Sequence, residues 1–239
     1  METAPAATEP EGKLDAAASR FELVENLESL PFGAFARGKD RESGALLRVL
    51  RLDRQFGADA TTVAALNEVI ARAKTISSPV VLKVTGSELA DGEFRLAVEW
   101  TNACTWLELL RVRGELSPEE AWPLLAQAAE GCDAVLAAGI DSPEVSLAAL
   151  TCILSVDAVE RAHRLQLPLT QWPELEVKVS PLGALRDLTL AVTWSGDRTV
   201  APPLEAPQPH GLTEVVRAFA RVTYELLGGR INPGAISGP

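Results

Sequence analysis

The chain has 239 residues, 47% of them hydrophobic, which suffices for a buried core and argues against a disordered chain. Its 33 acidic against 22 basic residues leave a formal net charge of −11, and a surface of that sign repels phosphate backbones, so general nucleic-acid binding is not expected. No apolar run approaches the ~18 residues needed to span a bilayer, and the N-terminus lacks the basic and apolar blocks of a signal peptide.

Residues 1–20 are rich in Ala, Pro, Thr and Glu, cannot bury a core, and are read as a disordered tail. From Phe21, "FELVENLESLPFGAFARGKDRESGALLRVLRL" reads as three strands, with "DRESG" as the turn between the second and third. Val63, Leu66, Ile70 and Ala73 fall at helical spacing in residues 59–76, with Asp59 as the cap. "VVLKVTG" and "FRLAVEW" are two further strands, the second placing Phe94, Leu96, Val98 and Trp100 on one face. "TWLELLRVRG" is a short helix closed by Gly114. The next helix opens with a capping box, Ser117 to Glu120, with Pro118 in its first turn. Trp122, Leu125, Ala129, Cys132 and Leu136 are read as its buried stripe, and Trp106 and Tyr224 as core. Residues 151–156 and 174–179 are short strand candidates around an irregular segment. "TEVVRAFARVTYELLGG" is a last apolar helix, ended by Gly228 and Gly229.

Cys104, Cys132 and Cys152 are odd in number and widely spaced, so they make neither a disulfide framework nor a zinc pattern. Each is expected to be a small buried apolar side chain in a reducing, cytoplasmic setting. His163 and His210 are the only histidines, and both are expected to be solvated.

Five strands with one helix after the third, followed by a helical half, is an α+β order. From Phe21 to Arg230 it resembles the protein kinase family, in particular a degenerate, pseudokinase member similar to bacterial Ser/Thr kinases. "FELVENLESLPFGAFARG" resembles the first strand, glycine loop and second strand, and "ALLRVL" lies where the family has Val-Ala-Ile-Lys. "ALNEVIARA" resembles the helix that carries the lysine-pairing glutamate, and "SSPVV" the His-Pro-Asn-Ile-Val that follows. "LAVEWTNACTWLELLRVRGELSPEEAWPLLAQAAEGCDAVLAAGI" is the closest stretch, resembling the hinge and the long helix before the catalytic loop. "VTYELLGGR" is similar to the large lobe's central helix, which in bacterial members often ends Tyr-Glu-Leu-Leu-Thr-Gly-Arg. The resemblance implies a two-lobed fold: a five-stranded antiparallel N-lobe with one helix over residues 21–100, and a mainly helical C-lobe over 101–239, incomplete after the central helix.

It also implies a site that has lost its chemistry. Of the loop's three glycines only Gly33 remains, as Glu28 and Leu30 occupy the other two positions. Arg48 stands for the phosphate lysine and is expected to pair with Glu68. "SPEVSLAA" falls on the catalytic loop, with Glu144 in place of the base and Ala149 in place of a metal-binding Asn. Pro181 replaces the magnesium-binding Asp, and neither Ala149 nor Pro181 has a side-chain oxygen for a metal that takes oxygen ligands. Phe35 and Leu46 replace two small residues against adenine and are expected to fill the nucleotide cleft. No catalytic residue, metal or cofactor is expected.

The function implied is a regulatory or protein-binding domain whose partner is another protein or another domain of a longer chain, with no membrane insertion by this segment. Two alternatives remain open. One is a metal-poor phosphotransferase using Glu144 and Arg48, and the other is a nucleotide sensor that needs no metal.

Overall fold

In the computed structural model, which describes residues 19–30, 33–58, 60–154, 156, 158–183 and 212–229, five strands form one antiparallel sheet. They are β1 (Phe21–Leu30), β2 (Gly33–Asp40), β3 (Leu46–Leu52), β4 (Val84–Ala90) and β5 (Glu93–Glu99), in the order β1-β2-β3-β5-β4. The tail over residues 1–18, the cap at Asp59, His210 and Arg230 lie outside the described residues. Ordered chain begins before Phe21, because the Arg20 backbone N–H donates to Glu88 at 2.8 Å and the Arg20 guanidinium pairs with Asp40 at 2.7 Å. Asp40 also accepts the Glu42 N–H, which closes the turn into β3.

Helices cover one face of the sheet. Leu50, Leu52, Phe94, Leu96 and Val98 pack with Phe56 of α1 (Arg54–Ala58) and with Leu66 and Ile70 of α2 (Ala60–Ala73). On the opposite face Phe21, Leu47, Val49 and Ala97 form a smaller cluster. Arg95 is buried on β5 under carboxylates from Glu88 and Glu93. Two helices therefore follow β3, where the sequence suggested one. The strand expected at "VVLKVTG" starts only at Val84. Its first residues bond elsewhere: Val179 N–H donates to Val80 O at 2.8 Å, and Leu82 N–H to Val179 O at 2.9 Å.

The second half contains α3 (Trp106–Arg113), α4 (Pro118–Ala137), α5 (Ala158–Gln166), a 3-10 turn at Leu169–Gln171, and α6 (Leu212–Leu226). A small antiparallel sheet joins β6 (Ala103–Thr105), β7 (Thr151–Ile153) and β8 (Val177–Lys178). Thr105 caps α3, Gly114 ends it at φ +84°, and both bonds of the Ser117–Glu120 capping box are present on α4. The chain is thus mixed α+β, with six α-helices among the described residues and none of them long and apolar enough to cross a membrane.

Of the expected α4 stripe, Cys132 is buried and Leu125 and Leu136 are partly so, but the buried face is centred elsewhere. Ala121, Leu124, Ala128, Gly131, Cys132 and Val135 are inside, while Trp122 is 72% exposed. The small residues decide this, because they let α4 approach the β8 segment. A Cβ added at Gly131 would lie 2.6 Å from Val179 Cγ2. Tyr224, also expected in the core, is 54% exposed; Trp106 is fully buried as expected. Leu124, Ala128 and Cys132 belong to the helical core, whereas Val135 joins the core under the five-stranded sheet, so α4 links the two.

Candidate functional site

A cleft of about 730 Å3 opens between the inner face of β1–β3 and the loops at the edge of the small sheet. That volume lies within the range of small-molecule sites. Its upper wall is apolar, with Leu30, Phe35, Leu50 and Leu52, and Trp100 and Leu107 line the side. The charged groups of the lining are Arg48, Arg111 and Lys178 and the carboxylates of Glu28, Glu99, Glu108 and Glu144, beside hydroxyls of Thr101, Thr105, Ser146, Thr151 and Ser180. Four carboxylates against three cations make the lining a poor host for a polyanion.

Arg48 occupies the centre of β3's inner face, because alternation along the strand puts it beside Leu50 and Leu52. Its guanidinium carbon lies 4.0 Å from the centre of the Phe35 ring on the neighbouring strand. Its Nη2 reaches Glu28 at 3.5 Å, a long contact between half-exposed groups. The Arg48 Nε is enclosed with no acceptor. Burial pulls its pKa below the usual arginine value, opposed by the charges of Glu28 and then Glu144. The expected pairing with Glu68 does not form. Glu68 is 67% exposed and pairs with Arg72 one turn along α2, and Arg72 in turn donates to Gly139 O at 2.7 Å. The buried stripe of α2, through Thr62, Leu66 and Ile70, turns Glu68 away from the sheet.

Gly33 has a packing reason to be glycine. At φ +158°, a Cβ there would lie 2.0 Å from Arg51 O on β3. Leu46 is 51% exposed at the outer end of β3, just after the turn, and does not line the cleft. The expected filling by Phe35 and Leu46 is therefore incomplete. Phe35 enters and stacks on Arg48, Leu46 does not, and the cleft stays open.

On the lower wall Glu144 N–H donates to Ser180 O at 3.2 Å, which brings Glu144, Ala149 and Ser180 to one edge. The Ala149 N–H is taken by Ser146. Pro181 is buried, and Leu182 beyond it packs into the core with Val135 and Ile140. Among the described residues no three His, Cys, Asp or Glu side chains converge as metal ligands.

Two features of the cleft were not legible in the sequence. Lys178 spans its floor, 3.3 Å from Glu99 and 3.1 Å from Glu176, with a 2.6 Å bond to Pro79 O. Cys104 and Cys152 lie directly opposite each other on β6 and β7, whose other face lines the cleft through Ala103, Thr105 and Thr151. Both depend on strand register, for which one sequence carries no signal. Compared with models of known protein families and with curated proteins, the chain matches none of them.

Proposed function

We propose that this chain is a kinase-like domain without phosphoryl-transfer activity that works as a binding or regulatory module for another protein or another domain of a longer chain. The observation that carries this reading is the chemistry of the cleft at the positions where the resemblance puts phosphate and metal groups. Ala149 and Pro181 offer no side-chain oxygen ligand, and Arg48 is already engaged by the Phe35 ring and the Glu28 carboxylate. A triphosphate would have to displace Glu28 from Arg48 and would share the cleft with the carboxylates of Glu99, Glu108 and Glu144. Protein binding is supported by exposed apolar side chains on α6, Leu212 and Val216, and by Tyr224 and Trp122. The end of α6 lies beside the start of α4, where Leu116 N–H donates to Leu226 O at 2.8 Å.

The open cleft favours a second reading, metal-independent binding of a small ligand. Its walls of Leu, Phe and Trp suit an apolar body rather than a phosphate chain. The phosphotransferase reading needs Arg48 free for phosphate and has the least support.

Thermal unfolding with and without excess ATP, each with and without magnesium, separates these readings. A ligand at a hundred times its Kd stabilises a fold by about 2.7 kcal/mol, a measurable rise in Tm. No shift under any condition is the expected result. A shift with ATP alone would support the sensor, and one requiring magnesium would overturn the loss-of-metal argument.

A further inference from the structure

Cys104 and Cys152 are separated by all of α3, all of α4 and a long loop, yet they face each other across β6 and β7. The flanking ladder defines the kind of pair. Trp106 N–H donates to Leu150 O at 3.0 Å and Leu154 N–H to Asn102 O at 2.6 Å, on either side of the cysteines. Hydrogen-bonded pairs recur every second residue, so 104 and 152 form such a pair, with Cα atoms about 5.5 Å apart. That spacing lies inside the roughly 4.4–6.8 Å that a disulfide spans without moving the backbone. Directly opposed residues also leave the sheet on the same face. Here that face is the helical core, since Ala103, Thr105 and Thr151 on the other face line the cleft.

We propose that Cys104 and Cys152 are an oxidisable thiol pair that hydrogen peroxide converts into one cross-strand disulfide beneath the cleft. Peroxide oxidises the Cys104 sulfur to sulfenic acid and leaves one water. The Cys152 sulfur then attacks, forms the S–S bond and expels a second water, so two thiols and one peroxide give one disulfide and two waters. A dithiol reverses the step by exchange.

The surroundings distinguish this pair from the third cysteine. The facing Cys152 thiol lowers the Cys104 pKa against the effects of burial and of the Glu108 charge, and Arg161 adds to that lowering. The same contact, with burial, raises Cys152. The Trp106 indole N–H, fully enclosed, has no acceptor in hydrogen-bonding geometry and favours negative charge on the Cys152 sulfur. Cys132 lies on α4, outside that strand pair, and burial pushes its pKa up to about 12. Both paired sulfurs are enclosed, so peroxide reaches them when the three-residue strands open, a local event of the kind short elements undergo. The pair works the same way whether or not the cleft takes a ligand.

The test uses the intact, reduced chain. It is treated with hydrogen peroxide, unfolded in excess N-ethylmaleimide, and read by intact mass and peptide mapping. The expected product carries one maleimide, on Cys132, and a peptide linking Cys104 to Cys152; dithiothreitol before alkylation restores three maleimides. Cys132→Ser should keep the link and Cys152→Ser should abolish it. Three maleimides after peroxide that fully oxidises glutathione would overturn the proposal. So would a link through Cys132, or sulfinic acid at Cys104 without a link. The wild-type measurement stands alone if a variant fails to fold.

Discussion

Arg48 shows how one side chain can look catalytic and be held by something else. Its stacking on Phe35 and its long contact to Glu28 are each worth about 1 kcal/mol or less, and its enclosed Nε costs part of that back. Arg48→Met should therefore change the unfolding free energy by less than about 1 kcal/mol in a urea titration. A loss above about 2 kcal/mol would mean that Arg48 makes a structural pair stronger than its geometry indicates. Asp40 behaves differently. The hydrogen bond from Arg20, with the Glu42 N–H, lowers its pKa from 3.8 to about 2. A depressed carboxylate pKa contributes stability that is complete above the unfolded value and is lost as pH falls toward the folded one. Asp40→Asn should therefore be less stable than wild type at neutral pH, with the gap closing between about pH 4 and pH 2. Tm measured across that range checks this, and a gap independent of pH would refute it.

At the scale of elements, α4 is the most informative. Its capping box secures its start, and Glu120 does more than close the box. The Glu120 carboxylate also takes Arg113 from α3 at 2.6 Å and the Leu169 N–H from the 3-10 turn at 2.9 Å. Burial works to raise its pKa, but these bonds prevail and hold it below the usual value. The face of α4 is decided by Ala121, Leu124, Ala128 and Gly131, so the large Trp122 is left in solvent. Trp122→Ala should cost less than about 0.5 kcal/mol, and Leu124→Ala about 2–5 kcal/mol, as read by denaturant midpoints. Equal losses at the two positions would mean that Trp122 is covered in solution.

For the whole molecule the question is whether its two main cores act together. Val135 on α4 and Leu182 after β8 pack into the core of the five-stranded sheet, and the Val80–Val179–Leu82 bonds join the two sheets' segments. These ties predict one cooperative transition. Tryptophan fluorescence, to which Trp106 and Trp172 of the helical core contribute, should coincide with far-ultraviolet circular dichroism along a urea titration. Separated curves would show the sheet and the helical half unfolding independently. The cleft lies along this junction, so any ligand that stabilises the chain through it should shift both signals equally.

Local physics made much of the architecture legible in the amino-acid sequence. The alternation in residues 21–52, the turn before β3, the Ser117 cap and the Gly114 stop each depend on neighbours within a few residues. The oxygen-free side chains at 149 and 181 were equally plain. Helix α5 was missed because its only described buried residue is Leu165; the Glu160–Arg164 pair one turn apart was the available sign. Only tertiary structure decided which face of α4 is buried, because small residues carry little hydrophobic signal yet permit the closest approach. It also turned Glu68 from Arg48, left Leu46 outside the cleft, and set Cys104 against Cys152. Those outcomes depend on register and packing between segments far apart in the chain, and composition, period and caps describe each segment only to itself.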